Sequence, residues 1–350
     1  MQPSDSELQI MKTLWAREKD GRWGISGLKA LTLRSDRSKK NSESDFFKVD
    51  EQMALLTDRP RNFHAALASF GPANFLMKQS VLPVVALVDG EKFIRCIGTG
   101  FVISATGYVA TACHVLLDPI ERGYGKVQRL GNTVVFSDAL HMGVLIPISP
   151  AYGVKGFRFF PFQQSAYWGE WRHSPLLHEP AQFATLADIA ICKIAEFPND
   201  VAHQPLMLSL NRFKVGEQAY ALGYANMEDI PVTVTNGQIS IPEVEWDLYM
   251  SVGEVFNVLP QNHIKKETST PGPCFEFRAK IPGKMSGGPI FGAQGIVVRG
   301  VVSRSFSGER HAYGAMMGPI MHLPVKGKDT LKSLMESGNE GIAQIQGQDL

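Results

Sequence analysis

From about residue 80 onward, this chain of 350 residues is a succession of short β-rich runs cut by turn residues, and that texture limits the folds open to it. "VVALVDGEKFIRCIGTGFVIS" predicts a hairpin turning at Asp89-Gly90, and "VTVTNGQISI" predicts a second one at Asn236-Gly237. "NTVVFSDA", "GVLIPIS", "VKGFRFFPF", "DIAICKI", "QAYALGYA", "CFEFRA", "GGPIFG", "GIVVRGVVSRS" and "YGAMMG" continue the series. Strands do not alternate with helical stretches, so a parallel α/β architecture is disfavoured and an all-β sandwich or barrel is expected.

The flanks read differently. Leu8, Met11, Leu14 and Trp15 fall at helical spacing, Leu33 to Asp45 is polar and charged, and "VDEQMALLTD" and "NFHAALASF" are short and helix-like. Residues 1–78 are therefore expected to form a partly helical extension. A C-terminal helix is expected over about 324–336, followed by a loose tail at 338–350.

Composition narrows the function. With 35 Lys and Arg against 34 Asp and Glu, the net charge is +1, which disfavours a dedicated nucleic-acid or anionic-membrane surface. No apolar run approaches the roughly 18 residues needed to span a bilayer; "SVLPVVALV" is short and contains a proline. The N-terminus has acidic residues and no continuous apolar core, unlike a secretory signal, so a cytoplasmic protein is expected. The four cysteines, Cys96, Cys113, Cys192 and Cys274, form no CxxC pair. Reduced thiols are the expectation, and a zinc or redox motif is not.

Three segments contain chemistry-bearing residues. "GTGFVISATGYVATACHV" ends near His114, which alone would be an ordinary histidine at a strand end. "TLADIAICKI" opens an apolar strand with Asp188, which alone would be a turn aspartate. "KIPGKMSGGPIF" sets Ser286 before two glycines and a proline, which alone would be a tight turn. Taken together, in the order His, Asp, Ser on an all-β chain, these segments resemble the trypsin/chymotrypsin-like serine peptidases, in particular the bacterial-type forms with few disulfides. The resemblance covers roughly residues 80–335, with "GVVSRS" as a further match.

The resemblance implies two packed antiparallel β-barrels with a site between them. The first barrel, about 79–200, would hold His114 and Asp188; the second, about 201–323, would hold Ser286. It also implies that the backbone N–H groups of Lys284 and Ser286 form an oxyanion hole. The substrate would lie along Lys280, Ser303, Arg304 and Ser305; Lys280, Arg304 and Arg310 make that neighbourhood basic, which suggests acidic side chains before the cut. No metal or organic cofactor is implied. The expected partners are a protein or peptide substrate and an activating partner, with no nucleic acid and no membrane.

The chain departs from the family at two places. Lys284 stands where the family has glycine, and a side chain there strains the backbone the hole needs. Met285 replaces the acid that pairs with a freed N-terminus in the digestive enzymes, so activation by that cleavage is not expected. The aromatic stretch "GFRFFPFQQSAYWGEWRHSPLLHEP" lengthens the His-to-Asp interval and is either a cap on the cleft or a decorated loop; its His173 and His178 lack metal-ligand spacing. Ser286 does not sit in G-x-S-x-G, which disfavours an α/β-hydrolase. The reading is a serine endopeptidase, gated by the extension or by a partner; the alternative is a catalytically silent trypsin-like fold that binds or senses.

Overall fold

The computed structural model describes residues 7–17, 23–34, 46–48, 54–56, 79–124, 127–130, 133–136, 139–147, 157–172, 182–195, 197, 203–235, 238–240, 248–259, 270–292, 297–305, 310–342 and 344–345. The fold is mostly antiparallel β, as the run-and-turn pattern predicts.

One sheet runs in the order Phe157–Pro161, Leu140–Pro147, Val81–Val88, Phe93–Val102, Tyr108–Thr111, Gln182–Lys193, Gln164–Arg172. Its two outer strands are consecutive in the chain. The link between them sends the Phe162 N–H to Met142 O and the Gln163 N–H to Lys193 O, so the chain itself joins the two ends of this curled sheet. The aromatic stretch is thus neither cap nor loop over Phe157–Arg172, because it supplies both outer strands. His173 and His178 lie outside the described residues.

The second sheet closes fully. Pro289–Gly292, Gln218–Tyr224, Leu248–Leu259, Cys274–Phe277, Ala312–Met316 and Val298–Ser305 pair in that order, and the last returns to the first. Its strands are buried along most of their length, and Phe275, Phe277, Ile290 and Val302 pack into one apolar cluster. The predicted Asn236-Gly237 hairpin is bounded by strands in the matching register, Thr235 opposite Gln238.

The helical expectations for the N-terminal flank are corrected. The stretch from Leu8 to Trp15, expected to be helical, lies in the strand Glu7–Arg17, which pairs antiparallel with Trp23–Arg34. Leu8 sits opposite Leu33 and Ile10 opposite Leu31; the same sequence supports a two-residue period once a second strand is available, and a single-segment helical period cannot register that partner. Of "VDEQMALLTD", Ala54–Leu56 is a strand, and "NFHAALASF" lies outside the described residues. Another extension strand, Phe46–Lys48, pairs with Tyr249–Ser251 of the second sheet.

The C-terminal helix spans only Leu331–Ser337. Gly327, with φ of 60°, turns a small hairpin, Pro324–Lys326 with Asp329–Thr330, and Thr330 then caps the helix by accepting the Ser333 N–H at 3.2 Å. The residues that follow are not loose over their described part. Glu340 is buried, accepts a short hydrogen bond from Thr106 Oγ1 and pairs with Lys326 Nζ at 2.8 Å. Gln344–Ile345 adds a parallel strand beside Leu208–Ser209. Among the described residues no helix is long and apolar enough to cross a membrane.

Candidate active site

The two sheets meet at the strand Phe93–Val102. Its Thr99 N–H donates to Ser286 O at 2.8 Å, and its Thr99 hydroxyl donates to Lys284 O at 2.8 Å while accepting the Tyr224 N–H at 3.1 Å. Tyr224 returns the tie through its hydroxyl to Val81 O at 3.0 Å. One threonine of the first sheet therefore fixes two carbonyls of the Ser286 turn. Thr99 lies within the matched "GTGFVIS", but nothing in its residue type marks it in the sequence.

His114 follows the strand Tyr108–Thr111 not as a strand end but as the second residue of a helix, Cys113–Glu121. Asp188 lies in the strand Gln182–Lys193, which pairs with Tyr108–Thr111, so neighbouring strands deliver the two side chains. The His114 Nδ1–H donates to Asp188 Oδ2 at 2.8 Å, and the His114 backbone N–H donates to Asp188 Oδ1 at 3.0 Å. A third donor, the Ser303 hydroxyl, makes a short hydrogen bond to the same Oδ2.

Asp188 is only 3% exposed. Burial alone would raise its pKa, but the His114 charge and the three hydrogen bonds win and hold it at about 2. For His114, burial opposes the charged form and so does Arg304; the attraction of Asp188, its hydrogen bond and the Asp118 charge outweigh them, leaving the imidazole above its usual 6.5. With Nδ1 committed to a carboxylate, Nε2 carries the lone pair, so this imidazole can accept a proton at that nitrogen.

Ser286 lies in the turn before Pro289–Gly292 of the second sheet. Its hydroxyl donates to Ser303 O at 2.9 Å. Ser286, Ser303, Asp188 and His114 thus form one hydrogen-bonded set across the two sheets. Lys284 has φ of 78°, in the left-handed region, so a side chain does occupy the position expected to need glycine. That conformation costs about 1–2 kcal/mol, and its neighbours over-determine it. Asn226 N–H holds Gly283 O at 3.0 Å, Thr99 holds Lys284 O, and the buried Met285 backs onto Gly223. Because a trans peptide sets C=O and N–H on opposite sides, the Lys284 N–H faces away from Asn226. The Ser286 N–H likewise faces away from the Gly288 N–H, which donates to Met285 O at 3.0 Å. Among the described residues, neither the Lys284 nor the Ser286 N–H has an acceptor.

The residues expected along a substrate divide into distinct uses. Ser303 is fully buried, and its hydroxyl serves Asp188 while its carbonyl takes Ser286. A register shift between Val302 and Ser305 turns the strand there, and pairing with Pro289–Gly292 has already ended at Val301. The Ser305 hydroxyl donates to Ile281 O at 2.8 Å, and Lys280 is exposed with its carbonyl held by Ser251 Oγ at 2.7 Å. Arg304 is half-buried, close enough to His114 for its charge to act on the ring. Among the described residues no cluster of His, Cys, Asp and Glu could hold a metal ion.

A family model described as the trypsin-like peptidase domain matches residues 98–298. Several solved structures are similar. The active form of the Rv3671c protease of M. tuberculosis is 18% identical, over 77% of this chain and 84% of that one, with a TM-score of 0.38. Deg5 is 14% identical, over 75% and 92%, with a TM-score of 0.40. The MamO protease domain of Magnetospirillum magneticum is 14% identical, over 69% and 93%, with a TM-score of 0.37. No curated protein sequence matches this chain.

Proposed function

Because this chain belongs to the trypsin-like peptidase domain family, we propose that it is a serine endopeptidase with Ser286 as nucleophile, His114 as general base and Asp188 as the carboxylate that orients it. The observation that supports this best is the His114 Nδ1–H donating to a buried Asp188 that two further donors hold ionised. Only this tautomer leaves Nε2 ready to take the Ser286 proton.

The chemistry runs in two halves. Ser286 Oγ attacks the scissile carbonyl carbon while its proton passes to His114 Nε2. The N–H groups of Lys284 and Ser286 receive the negative oxygen. Collapse breaks the C–N bond, and the leaving amine takes the proton from Nε2. Water then repeats the sequence against the acyl group, releasing the acid and restoring Ser286.

The Ser286 hydroxyl rests on Ser303 O, so it must turn toward His114 before it reacts. A peptide extended along Ser303 to Ser305 brings an N–H that competes for that same carbonyl, and binding thereby frees the hydroxyl. The resting arrangement also favours the second reading, a silent fold that binds or senses. Four buried cysteines, none of them in a disulfide, fit a reducing, cytoplasmic setting.

Labelling with a fluorophosphonate serine probe separates these readings. The wild-type protein is expected to be labelled, and Ser286→Ala and His114→Ala to lose the label. A folded wild-type protein that stays unlabelled would favour the binding or sensing module. The labelling rate should rise with pH around a midpoint above 6.5, since the raised His114 must lose its proton to act as base. Asp188, depressed from 3.8 to about 2, stabilises the fold above its unfolded value, and that contribution is lost as pH falls between the two; acid unfolding monitored by circular dichroism checks it.

Regulation by the extension belongs to the same reading. Phe46–Lys48 pairs with Tyr249–Ser251, and this strand supports the approach to the nucleophile turn: Ser251 holds Lys280 O, and Gly253 lies directly against Arg278 O and Ala279 Cβ. A chain lacking residues 1–52 is expected to be labelled more slowly; faster labelling would identify the extension as a closing element. Arg304, whose charge acts on His114, is our basis for an acidic residue before the cut. Among peptides differing only there in Glu, Arg, Phe or Val, the Glu peptide should be cleaved with the highest kcat/KM, and an equal rate for Val would remove Arg304 from that role.

A further inference from the structure

Behind Asp188 lies one more buried hydroxyl, Thr270, which precedes the strand Cys274–Phe277. Its Oγ1 is 3.2 Å from Ser303 Oγ, and Thr270, Ser303 and Asp188 are 2%, 0% and 3% exposed. The direction of this hydrogen bond follows from proton counting. An ionised carboxylate only accepts, and a serine hydroxyl has a single proton. Ser303 spends that proton on Asp188 Oδ2. Toward Thr270 it can therefore only accept, so Thr270 is the donor. The protons run in single file from Thr270 to Ser303 to Asp188, and His114 donates to the same oxygen from the other side.

We infer that Thr270 is a positioning residue for the His114–Asp188 pair, fixing the Ser303 hydroxyl so that its proton stays on the carboxylate. This rests on the peptidase reading for its effect on rate, but not for its effect on the imidazole. A hydroxyl that accepts one hydrogen bond donates a stronger one. With Thr270 in place, Ser303 has no second orientation of equal value. Without it, a buried lone pair is left unsatisfied and the hydrogen bond from Ser303 to Asp188 weakens. Asp188 then keeps more of its own charge and holds the imidazolium more tightly. The other charges acting on His114, Asp118 on its own helix and Arg304 on the strand Val298–Ser305, are unchanged by the substitution.

The test compares wild type, Thr270→Val, Thr270→Ser, Ser303→Ala and the Thr270→Val/Ser303→Ala double variant as full-length chains. Two readouts are taken: the rate of fluorophosphonate labelling against pH, and the His114 titration and Nδ1 proton by NMR. Thr270→Val is expected to slow labelling about tenfold, roughly one hydrogen bond expressed as a rate. It should also move the His114 midpoint upward and shift the Nδ1 proton, with Thr270→Ser restoring both. In the Ser303→Ala background, Thr270→Val should add almost nothing, because the two hydroxyls act as one unit. Lower thermal stability with an unmoved midpoint would overturn the inference, as would additive effects of the two substitutions. If Thr270→Val does not fold, the Ser303→Ala and Thr270→Ser proteins decide by the same midpoint: Ser303→Ala must raise it and Thr270→Ser must match wild type, and either failing sinks the inference. A wild type that resists the probe while its His114 midpoint still moves with Thr270→Val would reject the peptidase reading and leave this inference standing.

Discussion

Asp188→Asn should lower the rate of turnover, or of serine-probe labelling, by about four orders of magnitude without unfolding the protein. The size of the loss follows from donor counting. The carboxylate accepts three hydrogen bonds: two on Oδ2, from His114 Nδ1 and Ser303, and one on Oδ1, from the His114 backbone. An asparagine has only one accepting oxygen. If that oxygen keeps the backbone N–H, its NH₂ faces the imidazole, which adopts the other tautomer, with Nε2 protonated and unable to act as base. If instead the oxygen faces the imidazole, the NH₂ meets a backbone donor with nothing to accept it. Stopped-flow labelling together with far-ultraviolet circular dichroism measures the effect. A variant within tenfold of wild type would show that the orienting carboxylate is not Asp188.

Gly287→Ala is expected to remove labelling and to destabilise the fold as well. Gly287 has φ of 88°, and a Cβ there would overlap Thr99 O and Thr111 Oγ1. The left-handed conformation costs about 1–2 kcal/mol for an L-residue, and overpacking against atoms that cannot move costs about 1–3 kcal/mol more. Those atoms cannot yield, because Thr99 O already accepts the Thr111 hydroxyl at 2.7 Å within the first sheet. A loss of about 3 kcal/mol lowers the melting temperature by roughly 6–12 °C in a domain of this size, which differential scanning calorimetry resolves. A melting temperature and labelling rate equal to wild type would mean the turn has another conformation. Lys284→Gly, by contrast, relieves strain at its own position and leaves these contacts alone.

The sequence and the structure part company in ways that follow from how each kind of information is written in the chain. Strands such as Gln218–Tyr224 and Val298–Ser305 are legible because each is a short apolar run, buried along most of its length. His114, Asp188 and Ser286 are legible because their neighbours form recognisable runs. The extension is not legible because Leu8, Met11, Leu14 and Trp15 fit a helix in isolation, whereas the deciding partner, Trp23–Arg34, lies in a different segment. The hydroxyls that organise the site are not legible for a related reason. The Ser303 side chain turns inward to Asp188 although the residue lies on the edge expected along a substrate, and Thr99 and Thr270 are common residues whose value lies entirely in what stands opposite them. A carbonyl 185 residues away is invisible from a threonine in a short motif.

The buried Glu340 gives the end of the chain a mechanical meaning. Its carboxylate grips Thr106 at the tip of a first-sheet hairpin, while Gln344–Ile345 is laced into the second sheet beside Leu208–Ser209. The same short segment is therefore anchored in both halves of the molecule, like a strap across a hinge. Separating the halves as rigid bodies would have to break a buried, charge-assisted hydrogen bond and a strand pairing at once. On the peptidase reading, room for a substrate between Ser286 and His114 would come from local motion of the Ser286 turn and the Ser303–Ser305 edge. Residues remote from the cleft thus decide which kind of motion is available within it.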